Sequence, residues 1–135
     1  MTTYQSDTEV IDRPIRIFQG ARDDYNPVAP CKAYVERLRG AGRDVQLIEY
    51  PNASHGFDNP FGSLEPTVAK NSQTVRHCVI REDLPGHLVN TATGNTFTYK
   101  DSCVERDPHL GRDPAAAQAA SQAVEGLLKA VFKLN

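Results

Sequence analysis

Residues 14–50 read PIRIFQGARDDYNPVAPCKAYVERLRGAGRDVQLIEY, and their pattern is the clearest indication of the fold in this sequence. It opens with a short, mainly apolar run that ends at Gln19-Gly20, which is typical of a strand stopped by a turn. Asn26-Pro27 then predicts a helix cap and a first helical turn, and apolar residues recur at helical spacing until Gly40-Ala41-Gly42. A second strand is predicted at 45–50. Because a helical connection between two strands implies a parallel pair, the stretch predicts an α/β fold.

The flanking sequence is organised differently. Residues 1–13 are predicted to be a polar lead-in, and residues 14–135 to be one partial domain. Residues 73–103 contain β-prone runs separated by turn formers, which predicts a β-hairpin or small meander outside the main sheet. Asp113-Pro114 predicts the start of a C-terminal helix over 113–133, with Asp as the cap and a stripe of Ala, Leu and Val that packs on the parallel sheet.

Composition excludes several classes of function. The chain has 135 residues and a formal net charge of −2, and its Lys and Arg residues are scattered, so no nucleic-acid interface is expected. No apolar run is long enough to span a membrane, and the start of the chain shows no secretory signal. The three cysteines cannot all pair with one another, and the spacing of Cys78, His87, Cys103 and His109 matches no zinc pattern. No metal or organic cofactor is expected.

Acidic and basic candidates follow the two predicted strands. Asp23 and Asp24 lie in the loop after the first strand, and His55 lies in the loop after the second. The carboxyl ends of neighbouring parallel strands converge on one edge of a sheet, where ligands bind. A carboxylate there can accept a hydrogen bond from the imidazole, which fixes its tautomer and stabilises its protonated form. The pattern predicts an acid–base pair.

The same residues carry a resemblance to a known family. Residues 14–35, followed by Tyr50-Pro-Asn-Ala-Ser-His-Gly-Phe-Asp, resemble the C-terminal half of proteins of the dienelactone hydrolase family, which have the α/β-hydrolase fold. The resemblance extends through Thr93-Gly94 and Cys103-Val-Glu-Arg, and covers residues 14–132. It implies hydrolysis of an ester or lactone. It also places the family's catalytic acid on Asp23, with Asp24 as a second candidate, and its catalytic histidine on His55.

The resemblance implies a fold as well as an activity. The chain is expected to be the C-terminal portion of an α/β-hydrolase fold, with parallel strands and a crossover helix, plus a β-hairpin and a C-terminal helix. Members of the family place a Ser or Cys nucleophile in a G-x-S-x-G or G-x-C-x-G elbow. No such elbow occurs here. Glycines at the required positions are missing around Ser54, Ser63, Ser72, Ser102 and Ser121.

The absence of an elbow leaves three interpretations. The chain looks truncated and is expected to be catalytically incomplete by itself. Cys31 falls inside the predicted helix and is expected to be a core residue rather than the nucleophile. The alternatives are an inactive interaction or structural module, and one half of a split or domain-swapped hydrolase that associates with itself or a partner chain through an exposed sheet edge.

Two further expectations concern the surroundings of the site. Related proteins carry cysteines near Cys78 and Cys103, so these two either form a disulfide, which would place the parent protein in an extracytoplasmic compartment such as the periplasm, or remain reduced thiols. Tyr25, Phe57 and Phe61 flank the predicted pair and are candidates for lining a substrate pocket. The other histidines are expected to be surface or structural residues, namely His77, His87 and His109.

Overall fold

The computed structural model describes residues 2–4 and 7–134, which form two helices and a set of mostly short strands. The elements in chain order are β1 (Thr2–Thr3), β2 (Ile15–Gly20), α1 (Val28–Gly40), β3 (Val45–Tyr50), β4 (Thr67–Val68), β5 (Gln73–Thr74), β6 (Ile80–Leu84), β7 (His87–Asn90), β8 (Glu105–Arg106), β9 (His109–Leu110) and α2 (Pro114–Phe132). The strands form several small sheets. The protein is therefore a mixed α/β structure, as its sequence predicts.

The stretch 14–50 forms a strand–helix–strand unit. β2 and β3 are parallel and pair from Ile15 opposite Val45 to Gly20 opposite Tyr50. The connecting helix α1 buries Val35 and Leu38, which form one hydrophobic cluster with Val45. Burial of these apolar side chains between helix and strands is what holds the unit together.

The start of α1 differs from the prediction by one residue. Pro27 is the N-cap and makes no side-chain cap hydrogen bond, so Asn26 is not the cap. The backbone of Asn26 belongs instead to the loop that precedes the helix. Its N–H donates to Asp23 Oδ1 at 2.7 Å, and its carbonyl accepts from Gln19 Nε2 at 2.9 Å. The loop is therefore organised by the Asp23 carboxylate before the helix begins.

The segment between the site and the last helix contains an antiparallel hairpin. β6 and β7 pair across the turn Pro85-Gly86, and Gly86 has the positive φ of 80° that such a turn favours. The β-prone run 75–81 is therefore a strand only from Ile80 onward, and Thr96 contributes a single bridge to Val89. β1 pairs with β6 in parallel, so part of the polar lead-in is a short strand. How the chain divides into domains stays a prediction.

Two small antiparallel pairs and a disulfide complete this segment. β4 pairs with β9, and β5 pairs with β8. Cys78 and Cys103 form a disulfide, and Cys31 is a free, half-buried thiol. The disulfide joins two positions that are 25 residues apart in the sequence. Residues 72–113, which include both cysteines, are called the stapled segment.

The helix α2 is capped as its sequence predicts. Asp113 Oδ1 accepts hydrogen bonds from the backbone N–H groups of Ala115 and Ala116. Ala116 and Ala120 are buried with Ala53 and Phe57. The predicted apolar stripe is not covered at its C-terminal end, where its members Val131 and Leu134 are 42 % and 57 % exposed. Further apolar side chains of the same helix are also exposed, namely Val124, Leu128 and Phe132. In the part of the chain that the structure describes, no helix is long and apolar enough to cross a membrane.

Candidate acid–base site

The site lies where β2 and β3 end. β2 leads into the acid loop, residues 21–27, and β3 leads into the histidine loop, residues 51–57. Backbone hydrogen bonds tie the loops together: Ala21 N–H donates to Tyr50 O at 2.9 Å, and Arg22 N–H donates to Ala53 O at 3.0 Å. Gly20 sits in the contact, because a Cβ atom added there would lie 2.8 Å from the carbonyl carbon of Ala53. The two loops can approach this closely only with glycine at the end of β2.

Asp23 and His55 face one another across this contact. Asp23 Oδ2 lies 2.8 Å from His55 Nδ1, and the Asp23 side chain is only 5 % exposed. The same oxygen accepts from Gln19 Nε2 at 3.1 Å, and Oδ1 accepts the backbone N–H groups of Tyr25 and Asn26 at 2.9 and 2.7 Å. These hydrogen bonds offset the cost of burying the carboxylate and fix its orientation.

Asp24, the second candidate for the acid, points to different partners. Its carboxylate accepts from the backbone N–H of His109 at 2.8 Å and lies 2.9 Å from His109 Nδ1. Arg76 Nη1 donates to it at 3.1 Å. Burial works to raise the pKa of Asp24, but the hydrogen bonds from His109 and the charges of His109 and Arg76 outweigh it and lower the pKa. The structure therefore brings Asp23, and not Asp24, to His55.

His55 is held in place through both its backbone and its ring. Gly56 adopts a φ of 70°, which turns the histidine loop, and Gly111 N–H donates to the backbone carbonyl of His55 at 3.0 Å. The Tyr25 ring stacks on the imidazole with 4.6 Å between ring centroids. No described residue, in 2–4 or 7–134, forms a hydrogen bond with Nε2, and the His55 side chain is 34 % exposed. With Nδ1 held by a carboxylate, Nε2 is the nitrogen that can accept a proton.

A groove of about 670 Å³ opens beside His55. Its walls combine the Asp23–His55 pair with apolar side chains from β2, the histidine loop and α2, namely Phe18, Phe57, Ala117, Ala120 and Val124, and with the polar Asp58 and Ser121. Of the three aromatic candidates, Phe57 lines the groove and Tyr25 instead stacks on His55. Phe61 is 95 % exposed, so its predicted place in the pocket is wrong: it lies beyond the packed histidine loop.

Several residues of the site are not evident from the sequence. Gln19 connects Asp23 with the Asn26 carbonyl, and its only sequence signal is its place at the end of a strand next to the acid loop. Arg76 bonds both Asp24 and Glu105, and His109 bonds Asp24. These contacts join parts of the chain that are remote in sequence, so local patterns give no sign of them.

Cys31 and a metal site are the other chemical possibilities considered from the sequence. Cys31 Sγ donates to Gln19 Oε1 at 3.5 Å, and burial, together with the negative charge of Asp23, raises the pKa of its thiol. It is therefore a protonated thiol rather than an activated nucleophile. Among residues 2–4 and 7–134, no group of three or more His, Cys, Asp or Glu side chains is placed to hold a metal ion.

Comparison with known proteins agrees with the resemblance read from the sequence. The profile of the dienelactone hydrolase family matches residues 2–79, more than half of the chain, so the chain belongs to that family. The match includes Asp23 and His55. The match begins and ends earlier than the resemblance predicted for residues 14–132. For the residues after Val79, the resemblance to the family stays a prediction.

One curated relative is similar over a shorter stretch. Esterase LipC of Mycobacterium tuberculosis is 44 % identical over 46 residues, which cover 33 % of this chain and 11 % of the esterase. The chain thus spans about a tenth of the length of this relative. No solved structure matches the chain.

Proposed function

We propose that this chain supplies the acid–base pair of an ester or lactone hydrolase of the dienelactone hydrolase type. The observation that carries the proposal is the 2.8 Å contact between the buried Asp23 carboxylate and Nδ1 of His55, a residue that lines the groove. Membership of the family and the similarity to an esterase support the same class of reaction. We further propose that β2, α1 and β3 correspond to the C-terminal part of an α/β-hydrolase sheet.

The pair would act through one proton. His55 Nε2 takes the proton from a Ser hydroxyl or Cys thiol as its oxygen or sulfur attacks the carbonyl carbon of the substrate. Asp23 stabilises the imidazolium formed in this step. His55 then gives the proton to the oxygen of the departing alcohol. The acyl group stays bound to the nucleophile as an acyl-enzyme. In the second half of the reaction, His55 takes a proton from water, the hydroxide releases the acid, and the proton returns to the nucleophile.

The nucleophile is proposed to come from a separate segment. The sequence contains no G-x-S-x-G or G-x-C-x-G elbow, and Ser121, which lines the groove, lies within α2 rather than in a strained turn. Backbone N–H groups that hold the oxyanion would come from the same segment as the nucleophile.

The groove favours an uncharged substrate. Five apolar side chains offer an acyl or alcohol group a surface beside His55. The charged residues that line the groove in the described part of the chain are Asp23, Asp58 and, when protonated, His55, with no Lys or Arg among them. An anionic substrate would therefore meet carboxylates without a permanent counter-charge, whereas a neutral ester would not.

The proposal is tested by reconstitution. The full chain is mixed with a polypeptide that carries the nucleophile half of a dienelactone hydrolase family protein, and hydrolysis of p-nitrophenyl acetate is measured. We expect activity that falls to background in His55→Ala and drops strongly in Asp23→Ala, while His77→Ala, a change at an exposed histidine, has no effect. Activity of the full chain alone that disappears in Ser121→Ala would instead place the nucleophile in α2.

An interaction module is the second candidate function. The exposed apolar side chains of α2 favour it, because apolar side chains clustered on one helix face commonly mark an interface. The chain would then associate with a second copy or with another protein. Light scattering on wild type and Leu128→Glu tests this candidate: a dimer lost in the variant supports it, and a monomer in both rules out self-association.

A further inference from the structure

Tyr25 connects three parts of the site. Its backbone N–H donates to Asp23 Oδ1 at 2.9 Å, its carbonyl accepts from Thr74 Oγ1 at 2.6 Å, and its ring stacks on His55 with an interplanar angle of 27°. We propose that Tyr25 is a positioning residue for His55, and that its stacked ring holds the imidazole in the plane in which Nδ1 meets Asp23 and Nε2 faces the groove. This inference rests on the proposed function and assigns it one more residue.

The hydrogen bond that His55 donates to Asp23 does not by itself fix the orientation of the imidazole ring. It anchors Nδ1, but the ring can still rock about its bond to Cβ, and Nε2 at the far side of the ring moves most. A flat aromatic ring in contact with one face of the imidazole opposes this motion, because stacked rings lose contact when one tilts. Proton transfer to Nε2 depends on that geometry, since small misplacements of catalytic groups slow reactions strongly.

Tyr25 contacts His55 but does not belong to the walls of the groove. Tyr25 lines a neighbouring cavity of about 380 Å³ and is not among the residues that line the groove. The Tyr25 ring thus contacts His55 without lining the groove itself. A stacked aromatic ring also presents its negative face to the imidazolium that forms during the reaction, and stabilises that charge more than it stabilises the neutral ring.

The stapled segment holds Tyr25 in this place. Thr74, which binds the Tyr25 carbonyl, is 2 % exposed and belongs to β5, which pairs with β8. Arg76 Nη1 also donates to the carbonyl of Asp24 at 2.9 Å, one residue before Tyr25. The backbone of the acid loop is thus bound from the stapled segment at two consecutive carbonyls. Thr74→Val removes one of these hydrogen bonds while keeping a side chain of similar volume.

NMR of the full chain tests the inference without requiring activity. A ring stacked on the imidazole shifts the His55 ring protons upfield, and His55→Gln identifies their signals. We expect the upfield shift in wild type, its retention in Tyr25→Phe, its loss in Tyr25→Leu and a reduction in Thr74→Val. Equal shifts in wild type and Tyr25→Leu, with unchanged amide spectra elsewhere, would overturn the inference; if Tyr25→Leu does not fold, an unchanged shift in Thr74→Val would do so.

The reconstituted reaction supplies a second readout. We expect Tyr25→Leu to lower kcat on the order of tenfold with KM little changed, and Tyr25→Phe to keep kcat. Equal kcat in wild type and Tyr25→Leu would overturn the positioning role even if the rings are stacked. Failure to reconstitute any hydrolysis, with the ring-proton shifts as expected, would count against the proposed function and leave the stacking of Tyr25 on His55 established.

Discussion

Asp23 Oδ2 lies 2.8 Å from His55 Nδ1, although a helix and a strand separate the two residues along the chain. The next residue, Asp24, turns to the stapled segment and binds His109 and Arg76. Two adjacent carboxylates thus have separate tasks: one orients the histidine, and the other fixes the acid loop to the rest of the molecule.

Gly20 should be essential to the contact between the acid loop and the histidine loop. A Cβ atom at this position would collide with the backbone of Ala53, which cannot move aside as a side chain could. We expect Gly20→Ala to lower the free energy of unfolding by about 2 kcal/mol or more, measured by urea unfolding. Gly126→Ala is the matched control, because a Cβ there meets open space on α2 and should be neutral or stabilising. If Gly20→Ala and Gly126→Ala changed the free energy of unfolding equally, the steric requirement for glycine at position 20 would be contradicted.

Ionisation of Asp24 should make the free energy of unfolding depend on pH in the acidic range. Burial opposes ionisation of Asp24, but His109 and Arg76 outweigh it, so the pKa of the folded state lies below the ordinary value. A carboxyl group of this kind stabilises the fold above its unfolded pKa, and the contribution is lost as the pH falls through the lower folded pKa. We expect Asp24→Asn to be less stable than wild type at neutral pH, with the difference shrinking below about pH 4. Urea unfolding of both proteins at neutral pH and below about pH 4 measures the difference in stability. A difference that is the same at both pH values would contradict the prediction.

Cys31 should be an unreactive thiol whose reactivity depends on Asp23. Burial, and then the negative charge of Asp23, raises the pKa of this thiol. We expect iodoacetamide to alkylate Cys31 more slowly than a cysteine in a short peptide, and faster in Asp23→Asn than in wild type. His55→Gln, which keeps the charge of Asp23, serves as the control and should leave the rate low. A rate in Asp23→Asn equal to that of wild type would show that the charge has no effect.

The disulfide should contribute strongly to stability. Closing a loop of 25 residues restricts the unfolded chain, and the loop-entropy relation gives about 3.5 kcal/mol. We expect Cys78→Ser combined with Cys103→Ser to lower the free energy of unfolding by this amount, measured by circular dichroism in urea. Cys31→Ser, a change at the free cysteine, should cost clearly less. A reductant should destabilise wild type and leave the double variant unaffected.

The strand–helix–strand unit was predictable because its signals are local. The apolar runs of β2 and β3 and the helical spacing of Val35 and Leu38 lie within the elements that they define. The meeting of Asp23 and His55 follows from a general rule, since loops at the carboxyl ends of parallel strands share one edge.

The rest depends on contacts between remote parts of the chain. Thr74 binds Tyr25 and His109 binds Asp24 across a long stretch of sequence, and neither pair belongs to a repeating pattern. The stacking of Tyr25 on His55 depends on a side-chain direction that spacing does not determine. The exposed end of α2 was mispredicted because an amphipathic stripe shows which face is apolar and not what covers it.

The pairing of Asp23 with His55 determines which ring nitrogen of His55 carries the proton, and this tautomer can be measured. In ¹⁵N-labelled protein at about pH 9, where imidazoles are neutral, the two ring nitrogens give distinct signals for the protonated and unprotonated states. We predict that His55 carries its proton on Nδ1 in wild type, because Asp23 accepts it, and that Asp23→Asn shifts this preference while the exposed His77 is unchanged. A proton on Nε2 of His55 in wild type, or a tautomer unaffected by Asp23→Asn, would contradict the assignment of this pair.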